Sequence, residues 1–477
     1  MNPPAAKIVP RDVSVHGDER IDDYFWMRDR ADAEVIAHLK AENAYCDAVL
    51  AHTRPLQERL YQELVGRMRE TDVSVPDKID DYYYYTRTEE GRQYEIHCRR
   101  HGTLDAPEEV ILDENDLAEG HSYFALGAFN VSPDHRLLAY SVDTDGSESH
   151  VLYFKDLATG EVLEDGIPDT YYNAEWSSDG SAVYYTTLNA SKRPFKLFRH
   201  LLGTPASQDT LLFHERDESF FLGVTKTKTH RFIVLNIGSK TTTEVHFLDA
   251  DDPQATLRVV QPRRHEMEYY IAHHGDVFFI LTNDFAKNFK VMETPVATPA
   301  MEHWVEVIPH RRTVKIDDID VFTKHLVVFE REDGLKSIRI HDIETEEEHL
   351  VRFPEPAYTI WPSDNPVFDS GILRYNYTSL VTPRTVYDYD MDTREQTLMK
   401  RYDVEGGYDP ADYETERVFA AAADGTKIPI TLVHRRDIKR NGGHPLFLYG
   451  YGSYGASIEP YFVANRLSLL ERGFVYA

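Results

Sequence analysis

One strand pattern recurs through most of the chain and restricts its fold more than any other feature. Each copy has a short alternating strand rich in Tyr, Val, Ile and Phe, a polar turn, a second strand that often ends in charge, another turn and a third strand. It can be read in YYYYTRTEEGRQYEIHCRRHGTLDAPEEVIL from Tyr82, and again from Leu137, Ala182, Phe232, Val277, His325 and Ile372. Taking Tyr94, Leu152, Leu197, Val245, Val291, Ile338 and Val386 as equivalent, successive copies lie 58, 45, 48, 46, 47 and 48 residues apart. A period in the high forties with four strands per unit is the signature of propeller blades, and seven copies predict a seven-bladed β-propeller. Two neighbouring copies share a turn signal, NVSPD at Asn130 and EWSSDG at Glu175. A helical solenoid would need longer segments with Ala and Leu at helical spacing. A propeller alone names no reaction.

The flanks follow other rules. Up to about residue 72 the spacing is helical: Val35, Ile36, Leu39, Tyr45, Val49 and Leu50 fall near one stripe, and after Pro55 so do Leu56, Leu60, Leu64, Val65 and Met68. Both stripes are expected to pack into a core. From about Tyr413, ERVFAAAADGTKIPITLVHR reads as a hairpin around Asp424-Gly425, and HPLFLYG as a buried strand between Gly442-Gly443 and Gly450. NRLSLLERG is a short amphipathic helix stopped by Gly473, and FVYA opens another buried strand. Strand, helix, strand begins an α/β sheet, but one such turn cannot cover both faces of a sheet, so a longer design is expected. The fold class expected is mainly β: an N-terminal helical segment over residues 1–72, a propeller over 73–408, and the first, incomplete part of an α/β domain over 409–477.

Acidic residues outnumber basic ones by 81 to 52, a formal charge of -29. That balance repels phosphate backbones and anionic lipid, which argues against nucleic acid and membrane as partners, and it would draw in a cationic ligand. Cys46 and Cys98 cannot form a framework of disulfides, and no segment reads as a signal peptide or a membrane span, so a cytoplasmic protein is expected.

The stretch PLFLYGYGSYGASIEP, Pro445 to Pro460, admits two readings by motif. Gly450, Gly452 and Gly455 spell the G-x-G-x-x-G of a dinucleotide site. Pro460 would interrupt a helix begun after Gly455, and the acidic residue expected some 20 positions on is missing. Ser453 nearly meets the G-x-S-x-G elbow of serine hydrolases, but Tyr451 stands where the first glycine belongs, and Ser457 is followed by Glu459 instead of the second. The glycines are left with a backbone role, a tight bend after a strand, where α/β hydrolases place oxyanion donors.

Four stretches carry a likeness: HGDERIDDYFWMRD from His16, YNYTSLVTPRTVYDYDM from Tyr375, LYGYGSYGASIEPYF from Leu448 and NRLSLLERGFVYA from Asn465. With the seven repeats, they make the chain resemble the prolyl oligopeptidase family of serine peptidases, and within it the oligopeptidase B branch. Ser453-Tyr454 stands where true prolyl oligopeptidases carry Gly-Phe. The resemblance implies a propeller capping an α/β-hydrolase domain, the N-terminal helices packing on the hydrolase side, access limited to peptides, and cleavage after Lys or Arg with no metal or organic cofactor. The partners it implies are basic oligopeptide substrates. Tyr451 matches the family's oxyanion-hole tyrosine, against the plainer role of packing under its own loop. Tyr454 matches an aromatic at the specificity pocket, or is a core aromatic. Glu459 matches an acidic residue facing basic substrate side chains, or is a surface glutamate, and Tyr461 stands at that pattern's second acidic position. The nucleophilic Ser, the Asp and the His are expected beyond residue 477, so these residues alone are expected to be inactive. The alternatives are a propeller binding module with a vestigial hydrolase segment, and a prolyl-specific oligopeptidase of the same family.

Three further signals read as decoys. HEMEY at His265 has Tyr269 where a zinc-binding motif needs its second His. His273-His274 beside Gly275 reads as a blade turn, and YYYY at Tyr82 as a strand without the basic cluster of a stacking platform.

Overall fold

The computed structural model describes residues 2–163, 166–252, 254–439 and 441–477. Their antiparallel strands group into seven blades. Blade 1 has Asp72–Val73 and Asp77–Ile79 both pairing with Tyr82–Thr88, then Ile96–His101 and Glu109–Asp113. Blade 2 runs from Ala125–Val131 through Leu137–Asp143 and His150–Asp156 to the start of Ile167–Trp176. The same ten-residue strand then bends into blade 3, followed by Ala182–Leu188, Pro194–Leu201 and Thr210–His214. Blades 4 to 7 are separate four-stranded sheets covering Phe221–Gln261, Tyr269–Ile308, Val314–Leu350 and Tyr358–Arg401.

The alternation in sequence becomes sheet-on-sheet packing. Leu152, Leu197, Val245, Val291, Ile338 and Val386 all fall in third strands and are buried. Tyr94 is the exception, ending two residues short of Ile96–His101. The backbone N–H groups of Gln93 and Tyr94 donate to Asn115 Oδ1 at 3.1 and 3.0 Å, which holds both residues out of the ladder. The shared turn signal is one turn built twice. Ser132 and Ser177 each donate to an aspartate two residues on and accept the N–H that reopens the next strand, Leu137 and Ala182.

The ring closes between blades 7 and 1 without a shared strand. Arg374 donates to Pro76 O and Asp77 Oδ1 at 2.8 Å each, and Lys400 to Asp72 Oδ1 at 2.7 Å. A cavity of about 470 Å³ lies along this seam, with Tyr85, Cys98, Trp361 and Arg384 among its walls.

The N-terminal helices are α1, Ala33–Leu50, capped by the Asp32 side chain, and α2, Arg54–Val65, with Pro55 in its first turn where a missing N–H costs nothing. The expected core stripe of α1 is corrected: only Val35 is buried, and Ile36, Leu39, Val49 and Leu50 stay exposed because no described element covers that face. On α2, Leu56 and, just past its end, Met68 are likewise exposed. Leu60, Leu64 and Val65 are half-buried, and polar contacts tie α2 to the last segment. Glu63 pairs with Arg472 at 2.7 Å, and Arg67 just beyond the helix reaches Ser468 Oγ and Glu471 at 2.7 and 2.8 Å. The hydrogen bond from Arg472 pulls the Glu63 carboxyl down to about 2.

The last segment is a small mixed sheet. The Asp424-Gly425 hairpin joins Tyr413–Ala421 to Lys427–Arg435, Val433 pairs with Tyr476, and Val475–Tyr476 runs parallel to Leu446–Phe447. Between the parallel strands come Ala464–Arg466 and Leu467–Leu470, with Gly473 at φ 81° after them. Leu467 and Leu470 bury against Tyr413, Val433 and Leu380, the last from blade 7. HPLFLYG is not the buried strand expected: only Leu446–Phe447 pair, at the sheet's edge, and both side chains are exposed.

Candidate active-site loop

The loop from Leu448 to Pro460 leaves the edge strand with its second residue anchored, Tyr449 N donating to Ala477 O at 2.9 Å. Its bend needs three residues in the left-handed region: Gly452 at φ 76°, Tyr454 at φ 56° and Gly455 at φ 68°. The glycines take this conformation freely, while for Tyr454 it costs on the order of 1 kcal/mol. Past Gly455 no helix begins before Ala464, so no helix N-terminus faces the glycines and they form no phosphate cradle.

Tyr451 stands just before this bend. It is 57% exposed and its hydroxyl makes no hydrogen bond to another described residue. Tyr454 is 79% exposed, and Lys240 Nζ, from the turn between the second and third strands of blade 4, lies 3.2 Å from its ring centroid. Glu459 is drawn in: its side chain is 19% exposed and its Oε1 meets Arg331 Nη2 at 2.6 Å and Lys336 Nζ at 3.8 Å, both from blade 6. Arg331 also reaches Asp317 Oδ2 at 3.2 Å. Burial alone would lower the Arg331 pKa, but the Glu459 and Asp317 carboxylates outweigh it and the net shift is upward. Tyr461 is exposed, and its carbonyl accepts from Arg466 at 2.9 Å. The three residues singled out by sequence thus share one loop, two of them covered by propeller cations. Those cations, Lys240, Arg331 and Lys336, were not singled out. They lie in or beside polar hairpin turns that look like any solvated turn.

The decoys fall into the propeller. Tyr269 is fully buried, with its hydroxyl on Gln261 O at 2.5 Å, and His273-His274 end the first strand of blade 5 before a turn at Gly275. One group among the described residues has the spacing of metal ligands, Glu95, His97 and Glu114 on blade 1, whose ligand atoms lie within 4.8 Å of one another. His97 Nε2 already pairs with Glu114 Oε1 at 2.8 Å, and its ring stacks on Phe129.

The prolyl oligopeptidase N-terminal β-propeller domain, as a family model, matches residues 3–402. Dipeptidyl aminopeptidase BI from Pseudoxanthomonas mexicana is 39% identical over 504 residues, covering 99% of this chain and 69% of that protein. Protease 2 from Moraxella lacunata is 36% identical over 487 residues, covering 100% of this chain and 69% of its own. The solved structure of oligopeptidase B from Trypanosoma brucei with covalently bound antipain, in its closed form, matches with a TM-score of 0.93 at 34% identity, over 100% of this chain and 71% of that one. The chain belongs to the prolyl oligopeptidase family, whose members are serine peptidases. Within that family its likeness runs to oligopeptidase B. No helix is long and apolar enough to cross a membrane among the described residues.

Proposed function

We propose that the chain serves a cytoplasmic serine oligopeptidase that cleaves short peptides after Lys or Arg, with the propeller restricting access and no metal or organic cofactor taking part. The observation that carries this reading is the exposed Tyr451 hydroxyl, without a hydrogen-bond partner among the described residues, on a bend that follows a parallel strand. Family membership, a relative that holds covalently bound antipain, and the formal charge of -29 support it. Residues 1–72 act as the N-terminal helical segment, 73–408 as the propeller and 409–477 as the opening of the hydrolase domain.

In this reading a serine attacks the scissile carbonyl, and the negative charge that builds on its oxygen accepts a hydrogen bond from Tyr451. Such a donor is worth about 2.7–4 kcal/mol in the transition state and little in the ground state. Tyr454 and Glu459 face the substrate's basic side chains. Residues 1–477 contain no intact G-x-S-x-G, and the Ser, Asp and His act from positions after residue 477. The test uses Z-Arg-Arg fluorogenic substrate. The enzyme extended past residue 477 turns it over, and Tyr451→Phe lowers kcat about 10²–10³-fold with KM and Tm unchanged. Residues 1–477 alone give no turnover above a buffer blank. Turnover by residues 1–477, or an unaltered kcat in Tyr451→Phe, overturns the reading.

A further inference from the structure

We propose that propeller side chains occupy the two positions of the glycine loop that a basic substrate would use, so that substrate binds there by exchanging one cation for another. This rests on the reading that Tyr454 and Glu459 receive basic side chains. The occupants come from equivalent places in two blades. Lys240 lies in the turn between the second and third strands of blade 4, and its ammonium covers the Tyr454 ring. Arg331 and Lys336 flank the same kind of turn in blade 6, and both address Glu459 Oε1.

A carboxylate with two cations within 4.0 Å keeps little attraction for a third, and an arriving guanidinium would meet Arg331 and Lys336 as like charges. For Glu459 to hold a substrate, Arg331 must leave it. Arg331 has a second partner waiting, since its Nε is already 3.2 Å from Asp317. The exchange therefore leaves Arg331 paired: it keeps Asp317, and the substrate cation takes Glu459 beside Lys336, the more distant of the two cations at 3.8 Å. A basic side chain that takes the same face of Tyr454 as Lys240 replaces it in the same way, because an aromatic face holds one cation at a time. A neutral peptide gains nothing from either step. Lys240 and Arg331 are thus specificity-setting residues that raise the threshold for every basic ligand and leave neutral ones alone.

Binding to the 477-residue chain tests this without catalysis. Fluorescence anisotropy would compare a fluorescein-labelled tetrapeptide with a central Arg-Arg pair and its Ala-Ala counterpart. Removing the competing ion pair in Arg331→Met tightens the Arg-Arg peptide about fivefold, the worth of one partly exposed pair, and weakens the dependence of binding on salt. Lys240→Met, on an exposed turn, gives a smaller gain in the same direction and stands in should Arg331→Met melt early. Neither variant changes Ala-Ala binding, and Glu459→Gln weakens the Arg-Arg peptide. If Glu459→Gln weakens binding while both propeller variants bind Arg-Arg no tighter than the wild type, the exchange is wrong and the basic-peptide reading stands. If wild type and Glu459→Gln bind the two peptides alike, the basic-peptide reading fails and takes the exchange with it.

Discussion

Glu459 Oε1 lies 2.6 Å from Arg331 Nη2, so a loop of the α/β segment and the second strand of blade 6 share a charge pair across 128 residues of chain. The turn that follows Arg331 adds a second contact. Gly334 is left-handed at φ 79°, a Cβ built on it would stand 3.1 Å from Pro429 Cγ, and Arg417 donates to Asp333 O. Gly334→Val therefore strains the turn and pushes it off the hairpin. The expected loss is about 2–3 kcal/mol, read as a lower urea midpoint, with Gly334→Ala milder because its side chain is smaller.

Glu175 gives a pH prediction of definite sign. Burial, the first cause, pushes its carboxyl up to about 7, against smaller opposing effects of the Asn130 amide and Lys226. The folded state then holds a proton that the unfolded chain releases near the ordinary value of 4.5. Stability contributed by that proton is present below about 4.5 and is lost as pH rises towards 7, by roughly 3 kcal/mol. Glu175→Gln keeps an acceptor for Asn130 and has no proton to lose. Thermal melts between pH 4.5 and 8 should show the wild type falling relative to the variant, and parallel curves would contradict the assignment.

Arg374 carries the closure of the ring. Its guanidinium serves Asp388 at 2.6 and 2.9 Å and, across the seam, Pro76 O and Asp77. Arg374→Met leaves two partly buried carboxylates without their cation, which costs about 3 kcal/mol at neutral pH. Burial, ahead of the neighbouring charges, already raises the Asp77 pKa, so Asp77 binds its proton more readily folded than unfolded. The variant should accordingly recover part of its stability on acidification. Urea melts at pH 7 and pH 5 would show whether that recovery occurs.

The propeller was legible because its cores are built from alternation, which a sequence displays directly: six of seven repeat markers land in buried third strands. Tyr94 missed because a distant side chain, Asn115, takes over its backbone, and no local pattern records that. The α1 stripe had helical spacing, but spacing says which residues share a face and not whether anything covers it. At the loop, the glycines declared the bend and family likeness pointed to Tyr451, Tyr454 and Glu459. Their cationic neighbours come from distant turns, and long-range ion pairs leave no periodicity to read.

The strand Ile167–Trp176 belongs to two blades at once, whereas blades 7 and 1 share no strand and, among the described residues, are joined by side chains that reach Pro76 O and Asp77 beside a cavity. Seen as a hoop, the molecule has a welded stretch at blades 2 and 3 and a buckle at the seam. Thermal breathing concentrates where the fewest backbone bonds must break. Amides of Asp72–Val73 and Gln396–Arg401 should then exchange with solvent long before those of Ile167–Trp176, and a hoop that yields does so at its buckle.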